Sequence, residues 1–341
     1  MRTLRKIACG GVLLCLTFAV RPASAQNTEI VLPTTIPTTA PSADSDGNFV
    51  VGPNFTRAPE LTAKAGVPKG AVKNFTMSSA DSKFYPGISK TAPGQVVPYT
   101  RKVGVYIPSQ YVPGTAAPYL ICQDAQNQGQ IPNILDNMIN DHRLPPMVAI
   151  FIGNGGGDGQ GSERGLEYDT VSGKYAEFVE AEVLPKIQSD YNITLTKDPD
   201  GRCTLGGSSG GAAAFTMAWF HPDLYHRVLT YSGTYVNQQS PKNPESPRGA
   251  WEYHATLIPN SPAKPLRVWM EVGQRDNGAT APESGFHNWL LANFHMAVVL
   301  GAKGYHYQLV YALGAGHVDQ KAVLQTLPEA LEYVWKGYAS K

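Results

Sequence analysis

Leu205-Gly206-Gly207-Ser208-Ser209-Gly210-Gly211 is the stretch from which the rest of the chain can be read. A β-like run, Arg202-Cys203-Thr204-Leu205, leads into it, and the alanine-rich run Ala212-Ala213-Ala214-Phe215, with helical propensity, leads out. Strand, tight glycine turn holding a serine, then helix is the setting in which G-x-S-x-G displays a nucleophile. Small residues two positions either side relieve the crowding of such an elbow. The helix behind it favours negative charge developing in front. Two registers fit: Gly206-x-Ser208-x-Gly210 and Gly207-x-Ser209-x-Gly211. The second makes the strand run on through Gly206, a poor strand former. Taken alone, the stretch is equally compatible with an ordinary glycine-rich loop.

A serine nucleophile needs a base to take its proton and a third group to orient that base. Asp276 follows the apolar run Leu266 to Val272 and lies 68 residues beyond Ser208. His317, in Gly314-Ala315-Gly316-His317, comes 41 residues later, just past the run Tyr307 to Tyr311. Serine, acid and histidine in this order, each beyond a strand's C-terminal end, fall along one edge of an open α/β sheet. Glu271 and Glu283 are rival acids, although Glu271 sits within its strand. Among the histidines, His287, His295 and His306 lie on or beside a helix, and His221 and His226 read as turn and packing residues. Only His317 has the strand-then-glycine setting. A tetrahedral oxyanion also needs N–H donors. Ser209 would supply one; the strand-end turn Gln123-Asp124-Ala125 is the candidate for the other, unless it is an ordinary turn capped by Asp124.

With 341 residues, 42% hydrophobic and 16% charged, the chain can bury one large α/β core. Residues 1–25 read as a cleaved signal peptide: Arg2, Arg5 and Lys6, an apolar run from Ile7 to Val20, then Ala23-Ser24-Ala25. An exported protein, periplasmic or extracellular, is the expectation, with no membrane insertion after cleavage. Residues 26–64 are rich in Thr, Pro, Ala, Ser and Asn and read as a disordered tether. Residues 65–341 would form the catalytic domain. Taking Arg2, Arg5, Lys6 and Arg21 from the 28 Lys and Arg leaves 24 against 27 Asp and Glu, a net charge of −3. That balance points away from nucleic acid or an anionic membrane as partner. Cys122 and Cys203 lie in β-like runs and read as buried thiols, since cysteines on neighbouring parallel strands rarely suit a disulfide. No His/Cys pattern proposes a metal.

Strands are expected at 72–77, 101–107, 118–122, 145–152, 227–231, 266–272 and 307–311, besides the elbow strand. Several are almost continuously apolar, as parallel strands covered on both faces are. Tyr175, Val179, Val183, Ile187 and Tyr191 mark an amphipathic helix. Longer helices are expected over 286–300 and from about Leu327. Gly153 to Gly161 lacks G-K-[ST] and a complete G-x-G-x-x-G, and reads as a mobile surface loop. Strands alternating with helices predict a single doubly wound, mostly parallel sheet.

From about residue 65 to 338 the chain resembles the esterase family that includes enterochelin (ferric-siderophore) esterases, bacterial feruloyl esterases and esterase D. Gly206 to Gly211 matches that family's G-x-S-x-G-G elbow, which selects Ser208 as the nucleophile. Gln123-Asp124-Ala125 is similar to its oxyanion loop, with Ala125 where glycine is usual. Arg164-Gly165-Leu166-Glu167-Tyr168-Asp169 matches R-x-x-E-Y-D, which makes Arg164, Glu167 and Tyr168 candidates for contacting substrate. Glu182-Val183-Leu184-Pro185, Val272 to Asp276 and Gly314 to His317 match further segments, with Ala315 interrupting the last. The resemblance implies an α/β-hydrolase fold and a serine esterase using Ser208, His317 and Asp276 with no cofactor. Its substrate would be a small-molecule or polysaccharide-linked ester. Feruloyl or acetyl carbohydrate esters fit export; siderophore trilactones, acyl transfer to an alcohol, or a non-catalytic binding module on this fold are the alternatives.

Overall fold

A computed structural model describes residues 35–161, 163–239 and 241–338. The signal-like residues 1–25 lie outside these. The strands are β1 (Gly47–Val51), β2 (Ala71–Ser78), β3 (Thr100–Ile107), β4 (Ala116–Ala117), β5 (Tyr119–Gln123), β6 (Val148–Ile152), β7 (Thr194–Leu195), β8 (Arg202–Gly207), β9 (Arg227–Tyr231), β10 (Arg267–Gly273) and β11 (His306–Ala312). Nine of them form one sheet in the order β1-β11-β10-β9-β8-β5-β6-β3-β2. All neighbours from β1 to β6 run parallel; β6–β3 and β3–β2 are antiparallel. β4 and β7 form a separate small pair. This is the α/β-hydrolase architecture, a mostly parallel sheet flanked by helices.

The helices are α1 (Ile131–Asn140), α2 (Glu163–Tyr168), α3 (Lys174–Phe178), α4 (Leu184–Tyr191), α5 (Ser209–Phe220), α6 (Ile258–Asn260), α7 (Trp289–Ala302) and α8 (Gln320–Trp335). Two apolar layers result. One holds Val105, Ile121, Ile150, Val228 and Met270 of the sheet against α3 to α5 and α7; the other holds Leu120, Phe151, Leu205 and Trp269 against α1 and α8. Alternate residues of each strand serve opposite layers, so central strands are apolar throughout. Helix α5, which carries the elbow, is buried at every residue from Ser209 to Trp219 and is correspondingly apolar all round.

Three expectations change. The amphipathic stretch 175–191 is not one regular helix: a π-turn at Val179–Val183 separates α3 from α4. The loop 153–161 is tied down at several points, Asp158 accepting the Thr100 N–H and Gly153 donating to the Lys102 carbonyl. Residues 35–64 are not a disordered tether. β1 adds to the edge of the sheet, in register from Gly47↔Gln308 to Val51↔Ala312, and buries Phe49 and Val51. Further along, Ala58 N–H donates to the Leu324 carbonyl, Leu61 is buried, and Asn137 donates to the Glu60 and Thr62 carbonyls. Composition misleads here because an edge strand gains backbone hydrogen bonds from a strand already in place. It then needs only every second residue to be apolar.

Candidate active site

Ser208 sits between β8 and α5 with φ 58° and ψ −129°, outside the ordinary regions for a side chain. The turn is tight enough that a Cβ on Gly206 would lie 2.1 Å from the Gly210 carbonyl oxygen. A Cβ on Gly211 would approach Gly206 and Gly233 backbone at 3.2 Å. These contacts account for the glycines, and they set the register. Ser208 projects at the apex; Ser209 is the first residue of α5, is 1% exposed, and accepts a hydrogen bond from Gln238 Nε2 at 3.2 Å. The Ser209 N–H is among the helix's first donors, which have no intrahelical partner.

His317 Nε2 lies 2.8 Å from Ser208 Oγ, and His317 Nδ1 lies 2.6 Å from Asp276 Oδ1. A carboxylate only accepts, so the proton sits on Nδ1 and Nε2 is free to accept from the serine hydroxyl. Asp276 has no exposed side-chain surface. Its charge is met by four donors: His317, Ser232 Oγ at 2.6 Å, and the N–H groups of Asn277 at 2.7 Å and Gly273 at 3.3 Å. The rival acids face elsewhere. Glu283 lies beside His295. Glu271 is wholly buried in β10, with neither oxygen bonded among the described residues; burial first, then the charges of Asp276 and Asp319, raise its carboxyl well above the usual range. Burial thus disfavours its charged form, the form that would have to stabilise an imidazolium.

Three side chains around this chain of bonds carry no sequence motif. Ser232, one residue past β9, accepts the Val318 N–H at 2.9 Å while donating to Asp276. Ser232 and Val318 both have φ 47°, strained values for non-glycine residues and most unusual for a β-branched one. Thr234 donates its N–H to the Ser208 carbonyl at 3.1 Å and accepts from Trp289 Nε1 at 3.1 Å. The Trp289 ring stands edge-on to His317, centroids 5.9 Å apart. Nothing in the local sequence marks Ser232, Thr234 or Trp289.

The R-G-L-E-Y-D segment plays a part other than the expected one. Glu167 and Tyr168 are 2% and 1% exposed and do not reach a substrate. Glu167 pairs with Arg101 and Tyr99 inside the protein. Tyr168 Oη accepts the Asp124 N–H at 3.0 Å. Arg164 is partly exposed, but it grips the Asp124 carboxylate at 2.8 Å, joined there by Asn154 Nδ2 at 2.6 Å. Burial alone would lower the Arg164 guanidinium; the hydrogen bond and charge of Asp124 outweigh it and hold it above its ordinary value. The segment clamps the 123–127 loop.

That loop also corrects the expected oxyanion donors. The Asp124 N–H is given to Tyr168, and the Ala125 N–H to the Ile152 carbonyl at 3.0 Å. Neither is left over. Asp124 and Ala125 both have positive φ, 57° and 50°, and Gln126 N–H closes on the Gln123 carbonyl at 3.0 Å. This is a type I′ turn, whose second central position glycine would occupy with less strain than Ala125 does.

Residues 95–327 match the family model described as "Putative esterase". The chain belongs to this family of carboxylic ester hydrolases. Its fold is shared with solved esterases. The enterobactin esterase of Shigella flexneri, solved in the presence of enterobactin, aligns with TM-score 0.55 at 18% identity, covering 79% of this chain and 60% of that one. A feruloyl esterase module from Clostridium thermocellum aligns with TM-score 0.52 at 18% identity, covering 83% and 94%. YbbA, an uncharacterized protein of Bacillus subtilis (strain 168), is 24% identical over 196 residues, 52% of this chain and 69% of that one. The esterase thus spans only 60% of the length of the enterobactin esterase it resembles in fold.

Among the described residues, no group of three or more His, Cys, Asp or Glu side chains could hold a metal ion. No helix of the described residues is long and apolar enough to cross a membrane. Cys122 and Cys203 are free and buried, and burial raises both thiols, Cys203 to about 12.

Proposed function

We propose that this esterase hydrolyses carboxylic esters through Ser208, His317 and Asp276, by way of an acyl-enzyme. The observation that carries the reading is the unbroken pair of hydrogen bonds, 2.8 Å from Ser208 to His317 and 2.6 Å from His317 to Asp276. Ser208 Oγ attacks the carbonyl carbon while its proton passes to His317 Nε2, and the carbonyl electron pair moves onto oxygen. Collapse breaks the bond to the leaving alkoxide, which takes the proton from His317. Water then repeats the sequence, giving its proton to His317 and expelling Ser208. Asp276 holds the imidazole in the required tautomer and stabilises its cation. The Ser209 N–H, at the N-terminus of α5, is one oxyanion donor.

The substrate is a feruloyl- or acetyl-type carbohydrate ester, met outside the cytoplasm. Two features support this over a siderophore trilactone. Arg164, the cationic side chain of the R-G-L-E-Y-D segment, is already neutralised by Asp124, which leaves it little charge for an anionic ligand. The sequence of residues 1–25 carries the basic start, apolar run and A-x-A ending of an export signal. The test is hydrolysis by purified protein of aryl, feruloyl, acetyl-xylan and trilactone esters, with Ser208→Ala alongside. Ser208→Ala is expected to lower kcat by about 10⁴-fold or more, as loss of a nucleophile does in other triads. Ser209→Ala should cost far less, and a serine-reactive phosphonate should label Ser208. An active Ser208→Ala enzyme, or label on another residue, would refute the assignment.

A further inference from the structure

A tetrahedral intermediate in this fold needs a donor besides Ser209, and the loop after β5 is where it must come from. The first three main-chain N–H groups of that loop are spent. Asp124 gives its N–H to Tyr168 Oη at 3.0 Å, Ala125 to the Ile152 carbonyl at 3.0 Å, and Gln126 to the Gln123 carbonyl at 3.0 Å. Each bond belongs to a supporting element rather than to a movable one: a buried tyrosine, the end of β6, and the turn itself. Freeing any of them means undoing the clamp that Arg164, Asn154 and Tyr168 place on Asp124.

The side chain of Gln126 is the opposite case. Its half-buried carboxamide has no hydrogen-bond partner among the described residues. It lies across the end of the nucleophile strand: a Cβ built on Gly207 would stand 2.8 Å from Gln126 Nε2 and 2.9 Å from Oε1, with Val318 Cγ1 at 3.0 Å. Gly207 immediately precedes Ser208, and Val318 immediately follows His317. The amide therefore sits between the two reacting residues' neighbours, on the flank of the strand that the β5 loop covers. A residue larger than glycine at position 207 would displace it. An unpaired amide beside the residue that precedes the nucleophile is a donor in waiting, since a carboxamide presents two N–H groups and rotates about one bond to aim them.

We propose that the Gln126 side-chain amide is the second oxyanion donor of this esterase, replacing a main-chain N–H. The inference rests on Ser208 being the nucleophile. As the Ser208 Oγ–carbon bond forms and the carbonyl pair becomes an oxyanion, Gln126 Nε2–H and Ser209 N–H share that charge. Its proton stays on nitrogen throughout. The amide has no such anion to bind in the ground state, so its contribution falls on kcat rather than on KM.

The test pairs steady-state hydrolysis of p-nitrophenyl acetate with inhibition by an aryl trifluoromethyl ketone, which adds Ser208 Oγ and carries an oxyanion. Gln126→Leu keeps the volume and removes the donor. It should lower kcat by about 10²-fold or more with KM changed less than about threefold, and weaken the ketone in parallel with kcat. If Gln126→Leu does not fold, Gln126→Asn, which retains the amide but withdraws it by one methylene, is read in the same two assays. A variant that folds, keeps kcat and binds the ketone as tightly as wild type overturns the proposal, provided Ser208→Ala is inactive. An active Ser208→Ala enzyme instead refutes the reading on which it rests, so the two failures are separable.

Discussion

Ser232 shows how much of the proposed catalytic geometry can hang on one hydroxyl. It joins the loops that carry Asp276 and His317, donating to Asp276 Oδ2 at 2.6 Å and accepting the Val318 N–H at 2.9 Å. Both it and Val318 hold strained backbone values, φ 47°, which the bond helps to maintain. Without it, a buried carboxylate loses one of four donors and the residue after His317 loses its anchor. A hydrogen bond to a charged group is worth about 1.5–3 kcal/mol. Ser232→Ala should therefore lower kcat/KM by about 10- to 100-fold through kcat, with phosphonate labelling of Ser208 slowed to match. Steady-state kinetics on the folded variant check this; a wild-type kcat would mean that the Asn277 and Gly273 N–H groups hold Asp276 unaided. Residues of this kind were not legible beforehand. Ser208, Asp276 and His317 announced themselves by type, order and glycine setting, whereas Ser232, Thr234 and Gln126 matter only because folding brings them beside those three. Glu167 and Tyr168 mark the converse: a motif was visible, but whether its side chains face substrate or core depends on packing that no local pattern records.

Between elements, the segment that follows β9 is fastened to α7 through a pair of buried imidazoles. His254, in the π-turn Tyr253–Leu257, and His295, in α7, have ring centroids 4.9 Å apart, with Trp251 against both. The Nδ1 atoms of both are buried without a partner among the described residues. Burial lowers the affinity of each for a second proton; His254 is lowered further by the charge His295 would carry, while Glu283 opposes the effect at His295. Folded-state values below the ordinary 6.5 mean that these rings stabilise the fold above that pH. That contribution is lost as pH falls below it, because the unfolded chain takes up protons first. The loss is at most about 1.4 kcal/mol per histidine per pH unit. Urea unfolding midpoints should fall between pH 7 and 5, and His254→Gln should flatten that slope. Parallel pH dependences for the two proteins would exclude the pair as the source. Here too the sequence showed only part of the arrangement. His295 read as a helix residue because it lies in a long apolar run with a glycine end at Gly301, but a broken helical stretch containing His254 gave no period from which to place its partner.

At the scale of the molecule, the parallel sheet from β11 to β6 was legible because central strands buried on both faces are continuously apolar and alternate with helices. The edges were not, since an edge strand is half polar and short, and β1 was hidden in a segment whose composition matched a disordered tether. Its contacts argue that it is structural. It pairs along all five residues with β11, covers an edge that would otherwise be open to other chains, and buries Phe49 and Val51. The turn beyond it buries Leu61 against α1, and Arg143 bridges Glu60 to Glu332 of α8. Burying three such apolar side chains is worth about 1.5–3 kcal/mol each, part of which is offset by the entropy of ordering the segment. For a domain this large, each net kcal/mol corresponds to about 2–4 °C in Tm. Deleting residues 35–64 should therefore lower Tm by about 5–15 °C and promote self-association through the bared β11 edge, while leaving Ser208, Asp276 and His317 in place. Below the new Tm, dilute protein should keep a near-normal kcat. Calorimetry, light scattering and ester hydrolysis on the truncated protein separate these effects. An unchanged Tm would show that β1 rests on the sheet without supporting it, and a lost kcat at full solubility would show that the edge strand reaches the active site through β11 and the loop that carries His317.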